Sequence, residues 1–305
     1  MTRFIVRRLI VSVPMVLAVV TLTWTLIRLA PGNFYSGEKR LPPAIERNIR
    51  EKYGLDRPWY VQYGRMLANT ATGDFGSSLK YPNTTVNAIL ADALPVSATL
   101  GALAYFLALL VGIASGTLAA LRRNTRLDYT SMAAAMVGIS MPNFVLGPVL
   151  VFFFALYWYW LPAARWDGFG VHLILPVFTL SAVYMAYIAR LTRSGMLEVL
   201  ASNYIRTARA KGLRERDVVL RHAMRGGLLP VLSFSGPALA FLITGAVVVE
   251  RIFALPGLGN YFINANLNRD EPLIIGIVAF TSIVVLIFNL LVDVAYAFVD
   301  PRIRY

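Results

Sequence analysis

Six intervals of this chain carry no Asp, Glu, Lys or Arg, and each is long enough to cross a bilayer: Leu9–Ile27, Ala93–Leu121, Tyr129–Ala164, Gly168–Ala189, Gly226–Val249 and Pro272–Val292. About 20 consecutive apolar residues span the hydrocarbon core. No water is present there to bond a peptide group, so a lone crossing segment has to satisfy its own N–H and C=O groups as a helix. The expected fold is an all-α polytopic membrane protein with six transmembrane helices. Composition agrees, since 57% of the 305 residues are hydrophobic and only 15% charged, against roughly a quarter charged in a soluble globule. The third interval is longer than one crossing needs. It is expected to span from about Tyr129 to Trp158, bent by Pro142 and Pro148, with "YWYWLP" (Tyr157–Pro162) as an interfacial aromatic belt. The first interval is too long for the apolar part of a cleavable signal, and no small-x-small site precedes "LIRLAPG", so it reads as a retained span.

Charge sets the orientation. One side holds Arg3, Arg7 and Arg8, then Arg122, Arg123 and Arg126, then the stretch Arg190–Arg225, then Arg302 and Arg304. Basic residues there outnumber acidic ones more than three to one, while the opposite side is nearly balanced. A basic excess marks the cytoplasmic side, so both termini are expected inside. The chain then divides into residues 1–30 (N-terminus and first span), an outer lobe 31–94, and a five-helix core 95–305. Within the core, spans are expected at about 95–121, 130–158, 172–193, 229–249 and 272–296, with a cytoplasmic loop at 194–228. In the lobe, Pro43 and Pro58 suit the first turn of helices and Gly54 suits a helix stop. Asp293 and Asp300 read as residues placed at the boundary of the last span, with pairing to nearby arginines as the other reading.

Several function classes are disfavoured. The chain has no cysteine, hence no disulfide and no thiolate metal site, and its two histidines, His172 and His222, are far apart. No GxxxxGK[ST], GxSxG or HExxH occurs, so neither a P-loop nor a membrane hydrolase is indicated and the chain is not read as an enzyme. Spans without ionisable groups argue against proton or sodium coupling. The net charge of +13 sits beside the apolar runs rather than in a separate domain, which argues against nucleic acid. A path-forming subunit powered from elsewhere is left.

The stretch "SNYIRTARAKGLRERDVVLRHAMRGGLLPV" (Ser202–Val231) is the place to receive that power. It carries seven basic and two acidic residues. Helix is favoured up to Ala210, Gly212 breaks it, and a second helix runs from Arg214 to Met224. On that second helix Val218, Val219, His222 and Ala223 share one side, and Asp217 meets Arg221 at i, i+4. One reading is a basic loop resting on anionic lipid; the other is a shaped protein contact, which the glycine hinge and the acidic residues suit better.

"YIRTARAKG" followed by "RHAMRGGLLPV" closely resembles the cytoplasmic signature loop of ABC-importer permeases in their peptide-uptake branch. The resemblance runs through the chain: "FIVRRLI", "LAPGNF", "KYGLDRPWYVQY", "GDFGSSLKY", "GISMPNF", "ARLTRSGMLEVL", "ERIFALPGLG" and "DPRIRY" all look like this family, nearest to the first permease subunit of the oligopeptide type, with the dipeptide type as neighbour. In the general pattern a glutamate stands where this chain has Arg206, and a proline where it has Arg225.

The resemblance implies a type I importer permease fold in a bacterial inner membrane, with no cofactor on this chain and ATP and Mg held by partner subunits. The implied partners are a second homologous permease, two ATPase subunits, an external peptide-binding protein and the peptide itself. It assigns ATPase coupling to Arg206, Thr207, Ala208, Arg209, Ala210, Lys211, Gly212, Leu213, Arg214 and Glu215. It assigns binding-protein contact to Phe253, Leu255, Pro256, Gly257, Leu258 and Gly259. A plain reentrant or surface turn is the competing reading of that second segment.

Overall fold

The computed structural model describes residues 2–30, 47, 51, 54, 56–163 and 165–299. Pro43, Asp300, Arg302 and Arg304 lie outside them. Among the described residues every extended element is a helix, and the one β-bridge joins Ser77 to Thr85. In chain order the helices are α1 (Thr2–Leu29), α2 (Trp59–Thr72), α3 (Val86–Leu121), α4 (Arg126–Ser140), α5 (Asn143–Leu150, prolonged by a π-helical turn Val151–Tyr157), α6 (Ile174–Leu200) and α7 (Asn203–Ala210). Then come α8 (Glu215–Asp217, a π-helical turn Val218–Ala223, and Met224–Gly227), α9 (Leu229–Ile243), α10 (Val247–Ile252), α11 (Leu258–Asn268) and α12 (Glu271–Val299).

Five of the helical stretches are long and apolar enough to cross a membrane, and α4 with α5 would make a sixth if the pair forms one span. The bend expected in the third span is there as a sharp break, because the two helices of that pair meet at 103°. Of the two prolines only Pro142 breaks the chain. It lacks an N–H and forces Met141, the residue before it, into an extended conformation (φ −89°, ψ 112°). Pro148 lies within α5 without ending it. The helix of the second apolar run begins at Val86, where the Thr85 hydroxyl accepts the N–H of Ala88 at 3.2 Å and caps α3.

Small residues let the central helices approach closely. A Cβ on Gly112 would fall 2.7 Å from the Ile188 side chain, and one on Gly116 would fall 2.4 Å from the Ala189 carbonyl oxygen. In lipid the hydrophobic effect does not pull helices together, so such close packing is the main attraction between α3 and α6. Around this seam Leu100, Ala104, Ala108, Leu180, Ile188 and Leu242 form the core.

At one end of the bundle, α1 packs on α12 through Val20, Trp24, Ile275 and Ala279. The lobe is tied to the same pair. The Tyr63 and Thr21 hydroxyls bond at 2.8 Å, and Asp270, fully buried, gathers the N–H groups of Leu79 and Lys80 (both 3.1 Å) and the Ser78 hydroxyl. Asp270 also accepts from Leu273 N–H at 3.3 Å, which caps α12. At the other end Arg8 of α1 pairs with Asp293 of α12, so Asp293 is a partner in an ion pair rather than a mere boundary residue.

Candidate functional site

The segment between α6 and α9 forms a knob of two helices around Gly212. α7 ends where Lys211 N–H and Gly212 N–H bond back to Thr207 and Arg209 carbonyls at 3.0 and 2.9 Å. Gly212 then takes φ +77°, a left-handed conformation that costs a side-chain-bearing residue about 1–2 kcal/mol. Arg209 grips Glu215 across the turn with two bonds, Nε to Oε2 at 3.1 Å and Nη2 to Oε1 at 2.6 Å. That grip holds the Glu215 carboxyl below its ordinary pKa. The expected i, i+4 pair of Asp217 and Arg221 is present at 3.5 Å.

Ile205, Ala208, Val218, Val219 and Ala223 turn inward and close over Met196 of α6 and Ala120 of α3. Of the predicted coupling residues only Ala208 is in this buried set. Arg206, Thr207, Arg209, Ala210, Lys211, Gly212, Leu213, Arg214 and Glu215 are all exposed. His222 is half-buried, with its Nδ1 3.2 Å from the Asp217 carbonyl oxygen. The knob is thus apolar where it meets the bundle and cationic where it faces away.

Two contacts root it. Where α8 returns to the membrane, Gly195 of α6 meets Gly227 so closely that a Cβ on Gly195 would lie 2.2 Å from the Gly227 carbonyl oxygen. Nearby, Arg193 of α6 holds Asp128 of α4 in a two-pronged pair, Nε–Oδ1 at 2.6 Å and Nη2–Oδ2 at 2.8 Å, and Asn124 N–H adds a third bond at 3.0 Å. The sequence placed both charges on the inner side without joining them. The available signal was an acidic residue among arginines at the mouth of a span.

Far from the knob, the turn between α10 and α11 is packed rather than open. Phe253, Leu255, Gly257, Leu258 and Gly259 are buried, and only Ala254 and Pro256 of this turn are exposed. Of the six residues assigned to a binding-protein contact, Pro256 alone offers surface in this arrangement. The anchor is Glu250, fully buried, which accepts from Ser97 of α3 at 2.6 Å and from Gly259 N–H at 2.8 Å, while Ser97 accepts from Leu258 N–H at 2.9 Å. A Cβ on Gly257 would come within 2.4 Å of the Glu250 carboxyl, so glycine is what lets the turn close on it.

Glu250→Ala is expected to leave the Gly259 N–H and the Ser97 hydroxyl unpaired and to cost about 1–3 kcal/mol for each buried group stranded. Glu250→Gln keeps an acceptor for Gly259 and donates to Ser97 instead, and is expected to melt close to wild type. Equal melting temperatures for the two purified variants would show that the network does not hold the turn.

The family model described as "Binding-protein-dependent transport system inner membrane component" matches residues 108–305, and its N-terminal companion matches residues 1–101. Among curated relatives, the oligopeptide transport system permease protein OppB of Escherichia coli K12 is 47% identical over the full length of both chains. That of Haemophilus influenzae is 46% identical over the same extent. The dipeptide transport system permease protein DppB of Bacillus subtilis is 42% identical, covering all of this chain and 98% of its own.

Proposed function

Given that the chain belongs to the family of binding-protein-dependent transport system inner membrane components, we propose that it is the permease subunit of an ATP-driven importer that brings oligopeptides across a bacterial inner membrane. It crosses six times with both termini inside, α4 and α5 together making the third crossing. A second homologous permease completes the path, two ATPase subunits dock on the knob, and an external binding protein delivers peptide. The chain holds no nucleotide itself; ATP and Mg act on the partner subunits. The oligopeptide assignment rests on the relatives at 47% identity, with dipeptides as the second substrate class on the relative at 42%.

The observation that carries this reading is the knob's division into an apolar root and an exposed cationic cap. A lever has to be stiff, because a slack linker absorbs motion, and its free end has to be accessible to whatever drives it. Alternating access then follows as a two-state bundle whose arrangements are favoured by different partners.

The test combines Gly212→Pro with Arg214→Glu. Proline fixes φ near −65° where the turn holds +77°, and the charge reversal alters the cap. In proteoliposomes with the partner subunits, the variant complex is expected to assemble, to hydrolyse ATP, and to lose peptide uptake by at least about tenfold. Normal uptake would reduce the knob to a charged tether on the membrane.

A further inference from the structure

The second half of α6 leaves a polar face uncovered. Tyr187, Arg190, Ser194 and Glu198 recur at helical spacing and are all exposed. On α1 the exposed large side chains include Leu9, Ile10, Val13 and Leu22, and on α3 they include Phe106, Leu110 and Leu118. Those helices present acyl-compatible surfaces, whereas a span that leaves a cationic, hydroxyl-bearing face uncovered turns it to water or protein. The opposite face of α6 is the one sealed on α3 through Gly112 and Gly116.

The polar face is also the floor of a groove. Met132 of α4 stands beside it, and the ring of Phe234 of α9 lies 5.8 Å from that of Tyr187 and 6.2 Å from that of Tyr184. A cavity of about 490 Å³ opens there, lined by Met132, Tyr187, Arg190, Leu191, Arg193 and Ser194. Arg193 is already committed to Asp128. Arg190 makes no ion pair among the described residues, so its planar fork of N–H donors is left for a visiting acceptor, with the Tyr187 and Ser194 hydroxyls alongside.

We propose that this face of α6 is wall of the translocation path and that Arg190 binds the terminal carboxylate of a peptide in transit. The assignment rests on the peptide-import reading above. A solvated arginine–carboxylate contact is weak, which suits a site that must release its occupant, and the aromatic rings beside it offer contact that tolerates any side chain. Arg190 precedes the cytoplasmic knob by a few turns of α6, so the carboxylate would be met on the inner half of the path.

Because the chain has no cysteine, single-cysteine variants report cleanly. In the assembled transporter, Tyr187→Cys and Ser194→Cys are expected to react with a charged, water-soluble thiol reagent at least about tenfold faster than Leu22→Cys and Phe106→Cys. Rates as slow as those controls would mean that the face meets lipid or is sealed by a partner subunit, and would overturn the proposal. Uptake is then measured for one peptide and for its C-terminal amide, each preloaded on the binding protein. The acid-to-amide ratio is expected to fall about fivefold in Arg190→Gln and to be kept in Arg190→Lys. An unchanged ratio in Arg190→Gln overturns the carboxylate role. If the wild-type complex imports neither peptide with ATP, peptide import itself fails and the carboxylate role with it, while the labelling rates still decide whether the face is wet.

Discussion

Gly195→Val is expected to abolish ATP-driven uptake while the complex still reaches the membrane. The new Cβ would sit 2.2 Å from the Gly227 carbonyl oxygen and 3.1 Å from its carbon. Both are backbone atoms, so no rotamer change relieves the clash and α8 has to move off α6. Overpacking of this kind ordinarily costs about 1–3 kcal/mol, and here the strain falls on the joint that carries the knob. The root formed by Ile205, Val218, Val219 and Met196 then opens. Uptake in proteoliposomes is expected to drop at least about tenfold, and trypsin is expected to cut sooner at the arginines between 206 and 216. Gly226→Ala is the contrasting substitution. Its Cβ would meet the ends of Val199 and Tyr204 at 3.1 and 3.3 Å, side chains that can yield, so transport is expected to survive. Wild-type uptake in Gly195→Val would mean that the knob does not depend on this joint.

Arg193→Ala is expected to be the most destabilising change at the α4–α6 junction, and more damaging than Asp128→Ala. The reason is an asymmetry of exposure: the Asp128 side chain is 2% accessible and that of Arg193 27%. Removing the arginine strands a buried carboxylate with the Asn124 N–H as its remaining donor. Breaking a buried pair in this way costs about 3–5 kcal/mol. Removing the aspartate instead frees a long side chain that can carry its charge to water. The double alanine variant is expected to be more stable than Arg193→Ala alone, since it leaves no buried charge. Thermal melting of the four purified proteins tests the order. Strict additivity of the two single changes would show that the pair contributes no coupling.

The knob was legible in the sequence because its determinants are local. A glycine between two helix-favouring runs, and apolar residues recurring as Val218, Val219 and Ala223, specify a hinge and a buried face within one short stretch. The spans were legible for the same reason, as uninterrupted apolar runs. What escaped depends on distant partners. Asp128 and Arg193 are 65 residues apart, and Ser97 and Glu250 are 153 apart; only the assembled bundle brings them together. The turn 253–259 was legible only in part: its glycines and proline mark a tight turn, but nothing local shows that Phe253, Leu255 and Leu258 between them are buried. Pro142 and Pro148 look equivalent as letters, yet only the first interrupts its helix.

α3 runs unbroken through 36 residues, or about 54 Å at 1.5 Å per residue. Its first turns, at Val86, Ile89 and Leu90, are packed with Leu258, Leu273 and Ile274 beneath the lobe. Its last turn, at Ala120, touches the buried root of the knob. One continuous helix, with Pro95 inside it, therefore ties the knob's root to the cluster beneath the lobe, and a shift of either along the helix axis bears on the other.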